Sequence, residues 1–327
     1  MIALGAAATA RDSASRLIGL IGSGIGGSLT PALHEREARA QGLCCLYRII
    51  DLDVLGLTAA DTPALLTAAR RLGFDGLNIT HPAKQIVLDH LDELSPDAAA
   101  LQAVNTIVFE DGRAVGHNTD WSGFAQSFAR GLAGVAADRV VLLGAGGAGA
   151  AVAHAALRSG TRVLTVVDLD GDRAASLSAD LARRFGPGRA RAAGPGELAS
   201  VLPGADGLIH ATPTGMVAHP GLPLPADLLH PRLWVADVVY LPMDTELVRT
   251  ARALGCRTLD GGGMAVFQAV EAFRLFTGRS ADAGRMLRHF RALASAAGPP
   301  EAAAPADPGG QLSPPPSFPG DLGASLD

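Results

Sequence analysis

The run Val140-Val-Leu-Leu143-Gly-Ala-Gly-Gly-Ala-Gly-Ala-Ala151 constrains the fold of this chain more than any other stretch. Four successive apolar residues read as a strand buried on both faces, the pattern of a parallel sheet covered by helices. Gly144, Gly146 and Gly149 then give the spacing GxGxxG, and a helix follows to about Ser159. Glycines here permit a tight turn and let backbone N–H groups approach a pyrophosphate at the positive end of that helix. The next strand, Arg162 to Asp168, ends on an acid near the ~20-residue offset at which a carboxylate accepts from ribose hydroxyls. Asp168 would repel a 2′-phosphate, so the turn is read as binding NAD in preference to NADP. Arg173 is the one local cation that argues otherwise. Glycines serving only tight helix–strand packing are the weaker reading, because the motif stands in the strand–turn–helix context it requires.

A chain of 327 residues has room for two domains. With 48% apolar and 18% charged residues it reads as globular, and a net charge of -5 favours neither nucleic acid nor an anionic membrane. Cys44, Cys45 and Cys256 form no CxxC pair and are expected to be reduced thiols packed as small hydrophobes. No stretch reads as a membrane span, and Met1 to Ala10 lacks the basic start of a signal peptide, so a cytoplasmic location is expected. Residues 1–15 read as a flexible extension. Beyond Leu293 the chain turns to Ala, Pro, Gly and Ser, so 294–327 reads as a disordered tail.

Between these ends, apolar runs alternate with helical patterns, which gives an α/β class of parallel layers. Strands are expected at Leu17–Ile21, Leu46–Ile50 and Gly76–Ile79, with helices from Pro31 and over Pro63–Leu72. Pro82 suits the first position of a helix, which would put Lys84 in its first turn. Asn105–Phe109 and Ala114–Gly116 read as a hairpin around Asp111-Gly112. In the second half, Gly207–Ala211 and Trp234–Val239 are further strands, and a helix over Val266–Phe276 packs back on the first half. The organisation is therefore a substrate-binding catalytic domain (16–121, completed by helices within 264–293), a Rossmann-type dinucleotide domain (122–263), and a cleft between them.

Two polar knots lie in the first half, Asn78-Ile-Thr-His-Pro-Ala-Lys84 and Gly116-His-Asn-Thr-Asp120. Thr80, Lys84, Asn105 and Asp120 fall at or just past strand ends, where open α/β sheets bind ligands. A lysine beside an aspartate in a cleft can handle a proton during oxidation of an alcohol. From residue types alone, a surface ion pair of little energetic consequence is an equal reading. His81, His117 and His210 lie in or beside motifs without ligand spacing, so they are assigned structural or rim roles and no metal is implied.

The ordered motifs resemble the shikimate/quinate dehydrogenase family, from about Leu17 to Phe290. They are Ser28-Leu29-Thr30, Asn78/Thr80/Pro82/Lys84, Asn105-Thr106, Asn118-Thr119-Asp120, the glycine turn, Ala211-Thr-Pro-Thr-Gly-Met216, Asp237-Val-Val-Tyr240, and Gly263-Met264 with Gln268. The resemblance implies Lys84 and Asp120 as the catalytic pair. It implies Ser28 and Thr30 on the substrate carboxylate with Tyr240 nearby, and Asn78, Thr80, Lys84, Asn105, Asp120 and Gln268 around the ring hydroxyls. It implies a nucleotide held by Gly144, Ala145, Gly146, Gly147, Ala148, Asp168, Arg173, Thr212, Val238, Gly261 and Met264. Read from the sequence alone, Thr30 could equally cap the helix at Pro31, Gln268 could be an exposed helix residue, and Tyr240 could simply close a strand. Thr30 in place of a second serine, Val167-Asp168-Leu-Asp170 in place of a basic segment, and Gly22-Ser-Gly-Ile-Gly-Gly27 resemble the NAD-dependent quinate/shikimate branch. The expected partner is a small hydroxy acid (quinate, shikimate or an amino analogue), and a homodimer is compatible. The rival readings are an aminoshikimate or aminoquinate dehydrogenase, an NADP-dependent biosynthetic shikimate enzyme, and a silent relative that only senses its ligands.

Overall fold

The computed structural model describes residues 15–296. The expected extension and tail lie outside the described residues except at their inner edges: Ser15 opens the first strand and residues 294–296 close the last helix. Two six-stranded sheets organise the chain. The first contains β1 (Ser15–Gly22), β2 (Cys44–Asp51), β3 (Gly76–Ile79), β4 (Glu93–Leu94), β5 (Thr106–Glu110) and β6 (Arg113–His117), in the order β2-β1-β3-β5-β6-β4. The second contains β7 (Arg139–Leu143), β8 (Val163–Val167), β9 (Ala190–Ala193), β10 (Gly207–His210), β11 (Trp234–Asp237) and β12 (Arg257–Leu259), in the order β12-β11-β10-β7-β8-β9. Every pair in the second sheet is parallel, the doubly wound arrangement of a Rossmann-type unit.

The helices are α1 (Thr30–Ala40), α2 (Thr62–Arg71), α3 (Pro96–Leu101), α4 (Asp120–Gly131), α5 (Gly147–Arg158), α6 (Gly171–Phe185), α7 (Leu198–Val201), α8 (Glu246–Ala253), α9 (Gly262–Thr277) and α10 (Ala283–Ala296). Burial along β7 explains its uninterrupted apolar sequence. Val140 and Leu142 enter one core with Val152, Leu164 and Trp234, while Val141 and Leu143 enter the opposite one with Leu208, Val235 and Leu247. In the first sheet, Ile21, Leu77, Ile79 and Ile107 form one core, and Ile18, Leu20, Val108 and Phe276 the other. Phe276 belongs to α9, so this helix does return to the first sheet. At Gly123 of α4 an added Cβ would come within 2.7 Å of the Gln268 backbone nitrogen. That glycine lets α4 and α9 approach closely enough to set the relation between the two units.

The structure departs from expectation in three places. The first sheet is mixed: β5 forms the expected hairpin with β6, but it also pairs antiparallel with β3. Lys84 lies in a turn after β3, not in a helix, and the His81–Pro82 peptide is cis. The Lys84 carbonyl accepts the Val104 N–H at 2.9 Å, a partner from a neighbouring segment in place of a helical one. Cys256 is buried as expected, but Cys44 is exposed on the edge strand β2. No helix among the described residues is long and apolar enough to cross a membrane.

Candidate active site

In the first sheet the chain crosses from β2 over β1 to β3, so the carboxyl ends of β1 and β3 border a switch point; in the second, β7 and β10 do the same. Residues from both units line one cavity of about 420 Å³. At its centre the Lys84 Nζ stands 2.6 Å from the Asp120 Oδ2, with the two side chains 24% and 12% exposed. This is not the solvated surface pair that residue types alone allow.

Each member is held by its own element. Asp120 is the first residue of α4, where the helix dipole favours a carboxylate. Its second oxygen accepts the Asn105 Nδ2 at 2.8 Å, and its backbone N–H donates to the Asn118 Oδ1. Asn105 spends its other amide hydrogen on the Thr119 hydroxyl at 2.9 Å, and its Oδ1 accepts the Thr119 N–H at 2.8 Å. Asn78 donates to the Asn105 carbonyl and the Thr106 hydroxyl and accepts from the Tyr47 hydroxyl at 2.5 Å. Both asparagines border the cavity, yet their amides are engaged within the protein. Their geometry is that of a frame fixing Asp120. Thr80 also borders the cavity, and Gly22 lets it come close, since a Cβ there would lie 2.3 Å from the Thr80 methyl.

Ser28, Thr30, Tyr240 and Gln268 line the same cavity. The helix-capping alternative for Thr30 does not hold: the cap position is Leu29, with no side-chain cap, and Thr30 is the first helical residue. Gln268 is not an exposed helix residue; its amide donates to the Ala265 carbonyl, and its Oε1 lies 3.4 Å from the Thr119 hydroxyl. Tyr240 lies beside Phe290, its ring centroid 6.2 Å from that of Phe290. Burial, and then the charge of Asp120, push its hydroxyl pKa upward.

Ala148, Val238 and Gly261 bring the second unit to the cavity, and Met264 borders it from α9. Gly261 permits this approach, because a Cβ there would lie 2.4 Å from the Val238 carbonyl oxygen. Farther out, Gly144 turns at φ +100°, and a Cβ on Gly149 would lie 2.0 Å from the Gly144 carbonyl oxygen. A Cβ on Gly146 or Gly147 would meet nothing within 4 Å. Open space in front of an uncapped helix N-terminus fits a pyrophosphate. Asp168 accepts the Ala145 N–H at 2.7 Å, the Asp170 N–H at 2.9 Å and the Arg173 guanidinium at 3.0 Å. Burial works to raise its pKa, but the two N–H donors and Arg173 outweigh it and hold the carboxyl below the ordinary value. Arg173 is 58% exposed and also pairs with Asp170. Thr212 hydrogen-bonds the His210 Nε2 at 2.5 Å, and His210, fully buried, is held by Asp237 at 2.9 Å. The structural role expected for His210 is therefore internal to the second unit.

Tyr47, Thr106 and Thr119 complete the frame without having been singled out from the sequence. Thr106 and Thr119 stand inside recognised motifs; Tyr47 sits in β2 with no local signal. Among the described residues, no group of three or more His, Cys, Asp or Glu is placed to hold a metal ion. Chemically, the site offers an ammonium that can exchange a proton with a ligand oxygen, a carboxylate that keeps it in position, and neutral hydroxyl and amide groups around them.

Residues 20–107 match the shikimate dehydrogenase substrate binding domain, and 261–289 the shikimate 5'-dehydrogenase C-terminal domain. A shikimate dehydrogenase (NADP(+)) of Streptomyces avermitilis is 67% identical, covering 86% of this chain and 97% of the relative. A quinate/shikimate dehydrogenase (NAD(+)) of Corynebacterium efficiens is 49% identical, covering 85% and 99%. Among solved structures, quinate dehydrogenase from Corynebacterium glutamicum in complex with NAD is 49% identical with a TM-score of 0.81, over 85% of this chain and 99% of that one.

Proposed function

The chain belongs to the shikimate dehydrogenase family, and from that premise we propose that it reversibly oxidises a ring hydroxyl of quinate, shikimate or both to the 3-dehydro acid, with NAD as the oxidant. The observation that carries this reading is the Lys84–Asp120 pair, held inside a cavity that the nucleotide-binding unit also lines. Bound at the glycine turn, the nucleotide supplies two-electron oxidation. In the oxidation direction the neutral amine of Lys84 accepts the proton of the reacting hydroxyl and becomes the ammonium, while the hydride leaves the same carbon for the nucleotide. Asp120, fixed by Asn105, keeps the ammonium aimed at that oxygen. Ser28 and Thr30 receive the carboxylate with Tyr240 beside them, and Thr80 and Gln268 bind the remaining hydroxyls.

Asp168 supports NAD, because an acid at this offset from the glycine turn would accept from the ribose hydroxyls and repel a 2′-phosphate. NADP is the second reading, supported by the exposed Arg173 and by the NADP-linked relative at 67% identity. An amino analogue of either acid would differ at one hydrogen-bonding group and remains within the same site chemistry. The test is reduction of NAD and of NADP by purified protein with quinate and with shikimate, across neutral to alkaline pH. NAD-linked oxidation supports the proposal. Activity with NADP and shikimate alone overturns the nucleotide assignment, and silence with both acids overturns the substrate assignment.

A further inference from the structure

The segment between β1 and α1 presents Ser28 and Thr30 to the cavity, yet its sequence, Ser23-Gly-Ile-Gly-Gly27, has little stiffness of its own. Gly24 turns at φ +65°, and a Cβ on Gly26 or Gly27 would meet nothing within 4 Å, so in the middle of this loop only Ile25 packs, against the core that holds Ile18, Leu20 and Phe276. Its described backbone bonds are few: the Ser23 N–H reaches the His81 carbonyl at 3.0 Å, and the Ser28 N–H reaches the Ile25 carbonyl at 2.9 Å. The remaining polar hold comes from one side chain. Asp51, the last residue of β2 and only 7% exposed, accepts the Gly24 N–H at 3.0 Å on one oxygen and the Ile25 N–H at 2.8 Å on the other. The first oxygen also accepts the Asp53 N–H at 3.1 Å. Among the described ion pairs none involves Asp51, so these N–H groups are its counter-charge. Burial works to raise its pKa, and the N–H donors of Ile25, Gly24 and Asp53 outweigh it, leaving the carboxyl below its ordinary value.

We propose that Asp51 is a positioning residue for the acid substrate: by holding the Gly24 and Ile25 amides it fixes the loop that carries Ser28 and Thr30 at the carboxylate end of the cavity. This rests on the reading of Ser28 and Thr30 as the carboxylate clamp. Lys84 and Asp120 stand on other elements, after β3 and at the start of α4, so releasing the loop spares the proton-handling pair. Loss of binding made equally in ground and transition states raises KM and leaves kcat alone. An asparagine cannot replace the carboxylate, because its NH₂ would confront an N–H that now donates to an oxygen.

The experiment compares Asp51→Asn, Asp51→Ala and Ser28→Ala in the full chain. For both Asp51 variants the KM for the acid is expected to rise about tenfold or more, with kcat and the nucleotide KM within roughly threefold of wild type. A lowered melting temperature with unchanged KM for the acid would make Asp51 purely structural and overturn the proposal. Ser28→Ala separates the two layers: if it leaves the KM for the acid unchanged, the clamp reading fails; if it raises that KM while Asp51→Asn does not, the anchor fails. Hydrogen exchange on the wild-type protein decides the matter even if the variants do not fold. Protected amides at Gly24 and Ile25 are expected, and exchange at the rate of an unstructured peptide would overturn the anchor.

Discussion

Replacing Lys84 by alanine tests the chemistry most directly, and the structure sets the size of the effect. The substitution removes the only proton-exchanging group bonded to Asp120 among the described contacts, at 2.6 Å. Asp120 is not stranded by the change: it retains the Asn105 amide at 2.8 Å and its place at the positive end of α4. With the two side chains 24% and 12% exposed, the stability loss should fall between the limits for exposed and buried ion pairs, about 1–2 kcal/mol. The catalytic loss should be far larger. A positioned proton-transfer group contributes ~10²–10⁴-fold, which at 1.36 kcal/mol per tenfold is about 3–5 kcal/mol of barrier. Steady-state reduction of nicotinamide by quinate or shikimate reads kcat, and quenching of nicotinamide fluorescence reads nucleotide binding in the same preparations. Lys84→Arg sharpens the test, because a guanidinium keeps the charge beside Asp120 but does not release a proton in proteins. Both variants should lose at least a hundredfold in kcat while binding the nucleotide normally. If Lys84→Ala lost less than tenfold, or Lys84→Arg kept near wild-type turnover, Lys84 would be an electrostatic residue and not the proton carrier.

The glycine turn yields a paired test. Gly149→Ala forces a Cβ to within 2.0 Å of the Gly144 carbonyl oxygen and should lower the melting temperature sharply; Gly146→Ala meets no protein atom and should leave it unchanged while weakening nucleotide affinity. Asp168→Asn should raise the NADP-to-NAD ratio of kcat/KM by roughly tenfold or more by removing a like charge, and should weaken both nucleotides somewhat by loosening the bond to the Ala145 N–H; an unmoved ratio would leave Asp168 without a role in discrimination. His34 makes an acid-stability prediction. It is fully buried against Tyr47, Phe273 and Phe276, and burial lowers its pKa to about 3 against the opposing charge of Glu37. The unfolded chain takes up this proton near 6.5 and the native state only near 3, so stability present above 6.5 is lost as pH falls through that window. His34→Leu should therefore move the acid-unfolding midpoint, followed by circular dichroism, to lower pH.

What could be read from the sequence was whatever local chemistry decides. Asp111-Gly112 forms its hairpin turn because both residues adopt positive φ, 47° and 74°, as a two-residue loop requires. The apolar run of β7 announces burial on both faces, and the strand has it. Lys84 shows where such reading stops. Pro82 is a good first residue for a helix, but the Lys84 carbonyl is taken by the Val104 N–H from a segment no local pattern connects to it. β9 and β12 likewise escape notice, being short strands at the two edges of the second sheet with little apolar sequence.

The same limit governs the site, and it changes what the motif residues do. Asn78 and Asn105 are the residue types a polyol pocket would use, and both border the cavity, but an amide has only so many hydrogens and lone pairs. Those of Asn105 go to Asp120, Thr119 and Thr106, and those of Asn78 to the Asn105 carbonyl, Thr106 and Tyr47. A sequence motif reports that a position is demanding without reporting whether the demand comes from a ligand or from the residue that touches the ligand. Asp51 is the converse case. It belongs to none of the recognised motifs, since its partners at Gly24 and Ile25 lie one strand away, yet it holds the loop on which two of the motif hydroxyls sit. Residues that bind and residues that position binders become distinguishable only once every donor and acceptor has been assigned a partner. By that accounting Lys84, Thr80, Ser28, Thr30 and Gln268 are the groups at which substitution should alter binding or turnover of the acid directly, and Asn78, Asn105 and Asp51 are those at which it should act through a neighbour.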